Sequence, residues 1–283
     1  MSRVRHKYKK PVPGIVVTLV WVAVIIAVWE VIATVVAASF PERQALLYFP
    51  HLYQIIGLVI SDRVVGNSLT CAELVFPAAG RTLLRALYGF LIGTVLGFIL
   101  ALLMNLFLPV EKIAFPYLML IQMVPILGMA PVVLAITQDV DKARIVIAAI
   151  LTFYPVSTNV LAGFKAVSVE NHELMYSYNA NKFELYVKTL IPSSVPFLFT
   201  GLKIAAPMAV TAAVLVDTLQ GDGGLGVVLS QAVRTQYTAR EILWVCIFLS
   251  GIVGVLSFSL MGVLEKLFTP QVRARLFKRR GKA

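Results

Sequence analysis

The chain has 283 residues, of which 59% are hydrophobic and only 14% charged, with a mean hydropathy of +0.86. Soluble domains hold about 45–50% apolar and about 25% charged residues, so the composition excludes a soluble globule and specifies a membrane protein. The net charge of +11 does not point to nucleic acid. Five basic residues precede the first apolar run (Arg3, Arg5, Lys7, Lys9, Lys10) and seven close or follow the last (Lys266, Arg273, Arg275, Lys278, Arg279, Arg280, Lys282), with no basic, aromatic-interleaved module between them. Basic termini flanking apolar spans follow the positive-inside pattern and suit contact with anionic membrane lipid.

A helix needs about 20 predominantly apolar residues to cross the hydrocarbon core, and six runs provide them. The first, residues 15–38, is interrupted only by Glu30. It exceeds the roughly 7–15 apolar residues of a signal-peptide core, so it is expected to remain as a membrane anchor. Residues 39–80 form the longest external connection, in which 51–60 read as a short interfacial helix. The other spans are 86–108, 113–138, 145–164, 195–216 and 242–264. In the second, Gly89, Gly93 and Gly97 share one face and permit close helix approach. In the third, Pro116, Pro125 and Pro131 remove backbone donors, an arrangement that suits a broken helix at a gate. After the fifth, Gly221, Gly223 and Gly226 match G-x-G-x-x-G, but no strand precedes them, so they read as a turn on the outer face.

An even span count places both termini on one side, expected to be the cytoplasm. Sixteen Lys/Arg then lie in inside segments and eight outside (Arg43, Arg63, Arg81, Arg85, Lys142, Arg144, Arg234, Arg240), in the same sense. Cys71 and Cys246 are too scattered for a disulfide framework, and His6, His51 and His172 for a metal site. No P-loop, Ser/His/Asp set or H-E-x-x-H occurs, so neither enzyme activity nor a cofactor is expected and energy must come from a partner. Glu30 and Lys203 within spans read as structural, through ion pairs, snorkelling or links between subunits. Lys203 is also compatible with an anionic solute.

The most informative segment is the charged loop between the fourth and fifth spans, residues 165–192. Its halves, 168–178 and 182–190, each read as a short helix. Asn179 falls at the joint, where a positive φ is needed and Asn is the most tolerant residue after Gly. Glu173, Asn179 and Pro192 have the spacing of the "EAA" loop of ABC-importer permeases, with Leu174 and Met175 in place of its two alanines. Val195-Pro-Phe-Leu-Phe-Thr-Gly-Leu-Lys-Ile-Ala-Ala206 resembles the following span in the sulfonate, nitrate, taurine and pyrimidine-precursor branch. Arg81-Thr-Leu-Leu-Arg-Ala-Leu-Tyr-Gly-Phe-Leu-Ile-Gly93 resembles the opening core span, and Met123-Val-Pro125 with Ala130-Pro131 the proline-interrupted third. Asp217 and the glycines that follow it also fall where that family has an acidic residue and a Gly-rich turn.

The resemblance implies an all-α polytopic membrane protein of six transmembrane helices with a cytoplasmic helix-turn-helix coupling loop, in the cell membrane of a prokaryote. It implies three regions: an N-terminal tail, first span and external connection (1–79), a permease core (80–270) and a basic tail (271–283). The chain would form a permease homodimer with two copies of a separate ABC ATPase and an extracytoplasmic solute-binding protein, importing a small solute of the kinds that branch carries. Glu173, Tyr176, Asn179, Ala180 and Pro192 would form the ATPase-coupling surface. Gln122, Met123, Pro125, Thr211 and Asp217 are the pathway-lining candidates, with Thr218 and Gln220 beside them. From the residues alone, a free-standing secondary transporter or channel is the alternative.

Overall fold

The computed structural model describes residues 14–66, 68–219, 223–234 and 237–269. The basic tails, Gln220 and Gly221 lie outside the described residues. Within them the chain is helical except for one small hairpin, and it divides into two compact units, the first running to Cys71 and taking in Tyr237–Val245.

The first unit holds α1 (Gly14–Ser39), α2 (Glu42–Tyr48), α3 (Leu52–Ile60) and the antiparallel strands β1 (Val64–Gly66) and β2 (Leu69–Thr70). Helix α1 exposes most of its apolar side chains, as a lipid-facing helix does. Its one carboxylate needs partners at that depth, and α3 supplies them. Glu30 Oε1 accepts the Leu52 N–H at 2.9 Å, and Oε2 lies 2.6 Å from His51 Nδ1. Beside it, the Trp29 indole donates to Pro50 O at 3.0 Å and the Trp244 indole to Leu47 O at 3.0 Å. The Trp29 ring packs 4.0 Å from Phe49 and edge-on to Trp244 at 5.0 Å. Residues 51–60, expected to form a short helix, are α3, and the structural reading of Glu30 rests on these two contacts.

The second unit holds α4 (Cys71–Leu106, from Ala72 onward), α5 (Leu108–Met123), α6 (Ile126–Thr137), α7 (Val140–Lys165), α8 (Val169–Ser177), α9 (Lys182–Leu185), a π-helical turn (Tyr186–Leu190), α10 (Ile191–Leu219), α11 (Leu225–Val233) and the bulk of α12 (Ile242–Phe268). Its centre is the antiparallel pair α7 and α10. Ala205, Ala209, Ala212 and Ala213 of α10 and Ala148, Val156 and Val160 of α7 are buried in this unit. Small residues set the spacing, as in membrane helix packing generally. A Cβ on Gly93 of α4 would lie 2.4 Å from Ala149 O, and one on Gly201 of α10 would lie 2.8 Å from Pro155 O. The glycine face of α4 is therefore its crossing with α7.

Among the described residues, five helices are long and apolar enough to cross a membrane, and six spans result if α5 and α6 count as one. The third expected span, 113–138, is not a straight helix. It bends by 109° between its halves. Pro125 disfavours helical geometry in the residue before it, and Val124 is extended (φ −74°, ψ 122°), which ends α5. Two other boundaries differ from expectation. Helix α4 starts at Cys71 rather than near 86, and α7 starts at Val140 because Asp139 caps it, accepting from Asp141 N at 2.9 Å and Lys142 N at 3.1 Å. The Lys142 backbone hydrogen bond is the main reason the Asp139 carboxyl is held below the usual carboxylate range. Consequently Arg81, Arg85 and Arg144, expected in external connections, lie inside helices.

Candidate functional site

The two ends of the α7/α10 pair carry different polar structures. At one end, α7 finishes at Lys165 and the chain folds into helix–turn–helix before α10. Helix α8 stops because Asn179 adopts φ 54°. The Asn179 N–H bonds Tyr176 O at 2.9 Å and the Ala180 N–H bonds Met175 O at 3.1 Å, the paired closure of a Schellman motif with Asn in the usual glycine place. Helix α9 then starts from a capping box: Asn181 Oδ1 accepts Glu184 N–H at 2.9 Å, and Glu184 Oε2 accepts Asn181 N–H at 3.1 Å. Lys188 pairs with Glu184 at 2.8 Å. At the loop entry, Ser168 hydrogen-bonds Glu170 and lowers its carboxyl below the usual range.

The loop surface is open. Glu173 and Asn179 are exposed, as are Tyr176 (86%), Tyr178 and Phe183, while Ala180 is half-buried. His172, Glu173, Met175, Tyr176, Asn181 and Lys182 border a cleft of about 690 Å³. Pro192 closes the segment as the second residue of α10. Exposed aromatic side chains on a surface with a mixed-charge cleft, one of them (Tyr176) on its rim, are suited to receiving another protein. Where the loop meets the bundle, Lys165 forms an ion pair with Glu111, and Asn105 Nδ2 donates to Tyr186 Oη at 2.7 Å.

At the other end, the charges are buried. Asp217, near the end of α10, is 1% exposed. Its Oδ2 accepts the Thr82 hydroxyl at 2.7 Å, Thr82 Oγ1 accepts Leu225 N–H at 2.9 Å, and the Gly226 N–H also donates to the carboxylate. Asp217 and Thr82 thus cap α11. Arg144 of α7, equally buried, brings Nε 2.5 Å from Asp217 Oδ1; its N–H does not align with that oxygen, so the contact is coulombic. Arg144 Nη1 also pairs with Asp141. Arg85 reaches Asp141 at 2.9 Å through Nε and donates from Nη1 to Gly223 O at 2.8 Å. The glycines follow from this crowding: a Cβ on Gly224 would lie 2.1 Å from Asp217 Oδ2, and one on Gly226 would lie 2.0 Å from Val214 O. Gly223 has φ 62°. Backbone approach to a carboxylate, rather than to a nucleotide, is what the Gly-rich segment serves.

The sequence-level candidates therefore separate. Glu173, Tyr176, Asn179 and Ala180 come together on the loop. Gln122, Met123 (79% exposed) and Pro125 are exposed at the α5/α6 break. Thr211 is exposed and donates to Pro207 O at 3.0 Å. With Thr218, Gly251, Gly254 and Phe258 it lines an apolar groove of about 580 Å³. Asp217 does not join them, because its carboxylate is enclosed by Thr82, Arg144 and the α11 start and opens into no pathway here. Lys203 forms an ion pair with Glu265 of α12, so its charge is already matched. Sequence reasoning missed Thr82, Arg85 and Arg144. The available signal was the placing of Arg81, Arg85, Asp141 and Arg144 at three- and four-residue spacing just ahead of apolar runs, where helix starts are polar.

A model of the family described as "Binding-protein-dependent transport system inner membrane component" matches residues 93–270. The chain belongs to this family. The formylaminopyrimidine transport permease protein ThiX of Halalkalibacterium halodurans is 30% identical over 209 residues, covering 74% of this chain and 83% of that protein. The nitrate import permease protein NrtB of Synechococcus elongatus is 30% identical over 193 residues, covering 68% and 66%. Among solved structures, an amino acid ABC transporter with histidines aligns with TM-score 0.55 at 18% identity, and the MetNI methionine ABC transporter with 0.52 at 19%. Each alignment covers 67% of this chain and 92% of the other, and supports the fold. This protein is an ABC-importer permease, a multi-pass membrane subunit that is not itself an enzyme, with ATP hydrolysis on a separate subunit.

Proposed function

We propose that this permease works as a homodimer, that residues 165–192 of each copy dock on one of two ATPase subunits, and that a solute-binding protein delivers solute at the Asp217 end. The docking side and both termini are cytoplasmic in this reading, with 1–79, 80–270 and 271–283 acting as anchor region, permease core and basic tail. ATP-driven closure of the ATPase pair draws the two loops together and rocks the spans between two packings. Gln122, Met123, Pro125 and Thr211 face the solute. The solute is small and of the kind named for its relatives, nitrate and formylaminopyrimidine.

The observation that carries this reading is the helix–Asn179–helix loop, with an exposed Glu173 and Tyr176 on a unit otherwise built to face lipid or itself. The positive-inside count supports the orientation. Co-purification with the co-encoded ATPase tests the docking. The Glu173→Lys, Tyr176→Ala variant is expected to insert normally yet lose ATPase recovery and uptake, whereas full transport by it removes the docking role. A Ser177→Cys variant is expected to resist impermeant thiol reagents in intact cells; ready labelling there reverses the orientation.

A further inference from the structure

Docking alone does not account for two features where the loop joins α10. The chain widens into a π-helical turn over Tyr186–Leu190, and from within that turn a side-chain hydrogen bond crosses to the bundle.

The π turn ends one residue before Ile191-Pro192. The helix is continuous from Lys182 to Leu219, so residue 192 would ordinarily donate its N–H to Lys188 O. Proline has no N–H, and its ring presses on that same carbonyl. Widening the preceding turn relieves the clash, and Ile191 N–H instead donates to Tyr186 O, five residues back. Such single π turns within α-helices recur at functional sites. They also set direction, since one residue more or less rotates the two flanking segments relative to each other by about 100°.

Tyr186 opens this turn. Its hydroxyl accepts from Asn105 Nδ2 of α4 at 2.7 Å, and its ring meets the Phe164 edge at 6.3 Å. Phe164 of α7 is buried and in turn meets Phe98 of α4 at 6.2 Å. Among the described residues, Asn105–Tyr186 is the single side-chain hydrogen bond that leaves residues 168–190 for the bundle. We propose that Tyr186 is a positioning residue for coupling: across the π turn before Pro192, its bond to Asn105 sets the angle at which the docking helices leave the bundle and passes their displacement to α4 and α7. This rests on the docking reading above.

The test uses the full permease–ATPase complex, spin-labelled at Tyr178→Cys on the loop and Phe107→Cys on the bundle, both exposed, while native Cys71 and Cys246 are buried. Adding ATP with vanadate is expected to shift the interlabel distance discretely. Tyr186→Phe keeps the ring contacts and ATPase recovery but is expected to abolish the discrete shift, with the vanadate-trapped fraction reduced about fivefold or more, the scale of an ordinary coupling energy. Asn105→Leu should do the same, and the double variant no more, as expected of two partners in one bond. Pro192→Ala restores the donor and is expected to leave the thermal midpoint unchanged or raised while still altering the distance. A merely structural role predicts the opposite for Pro192→Ala, a normal shift in a stabler protein. A wild-type-like shift in Tyr186→Phe overturns the inference. Failure of the ATPase to cross-link to a Tyr176→Cys loop overturns the docking reading instead.

Discussion

The two ends of the α7/α10 pair both carry charged and polar residues yet use them oppositely. At the Asp217 end, Thr82, Arg85, Arg144 and the α11 start are tied around the buried Asp217, with the exposed Asp141 at the edge of the cluster. A charge removed from such a cluster leaves its partner uncompensated in a low dielectric, so its geometry is held firmly. At the loop end, the caps and the Glu184–Lys188 pair lie at the surface, where each contributes little, and the Lys165–Glu111 pair, one neutral hydrogen bond and a π turn link loop to bundle. The contrast teaches that one end is fastened and the other left able to swing. Within this subunit, motion should therefore arise at the loop junction rather than between α4, α7 and α10 at their Asp217 ends.

The largest effect should come from breaking the fastened end. Arg144→Met leaves Asp217 buried without its cation and is expected to cost about 3–5 kcal/mol, seen as a large fall in the thermal midpoint of purified protein. Adding Asp217→Asn should recover part of that loss, because no unmatched charge then remains and an amide oxygen can still accept from Gly226. If the double variant is no better than the single, the pair is not the clamp. Next, Gly226→Ala places a methyl against Val214 O and is expected to cost about 1–3 kcal/mol, with transport and stability falling together.

At the free end the expected effects are smaller in stability and larger in coupling. Asn179→Gly should preserve transport, whereas Asn179→Val forces a β-branched residue to φ 54°, a strain of about 1–3 kcal/mol, and should lower ATPase recovery with near-normal expression. The reverse order would show that Asn179 acts through its amide. The smallest effect concerns Asp139. Its folded carboxyl titrates below the usual aspartate range, so its capping contribution is full above that range and is lost as pH falls through the lowered value. Asp139→Asn should flatten that segment of a stability–pH curve and leave neutral-pH transport intact.

Much of this contrast could be read in the sequence, but unevenly. The loop was legible because its information is local: the offsets of Glu173, Asn179 and Pro192 and the αL tolerance of Asn define helix, corner and helix within twenty residues of chain. The fastened end was not, because its partners are distant; Thr82 and Asp217 are 135 residues apart. Arg85 and Arg144 looked like ordinary external charges until α4 and α7 proved to begin earlier than their apolar runs. Asp217 stands out in the sequence as a pathway-lining candidate, but its buried partner Arg144 lies too far along the chain to be named from it. The three prolines announced a broken third span, though only the extended Val124 fixes which of them breaks it. The π turn has no signal in the sequence, since Pro196 and Pro207 stand in the same helix without one; it becomes visible only in the continuous helix from Lys182 to Leu219.

Hydrogen–deuterium exchange on the permease–ATPase complex tests the difference between the two ends most directly, since it reports local opening amide by amide. The amides of Leu225 and Gly226, bonded to Thr82 and Asp217, should exchange slowly and identically with and without ATP and vanadate. Those of Val187 to Ile191 around the π turn should exchange faster and change with nucleotide. Nucleotide-dependent exchange at Leu225 and Gly226, together with a protected and unresponsive π turn, would contradict the account.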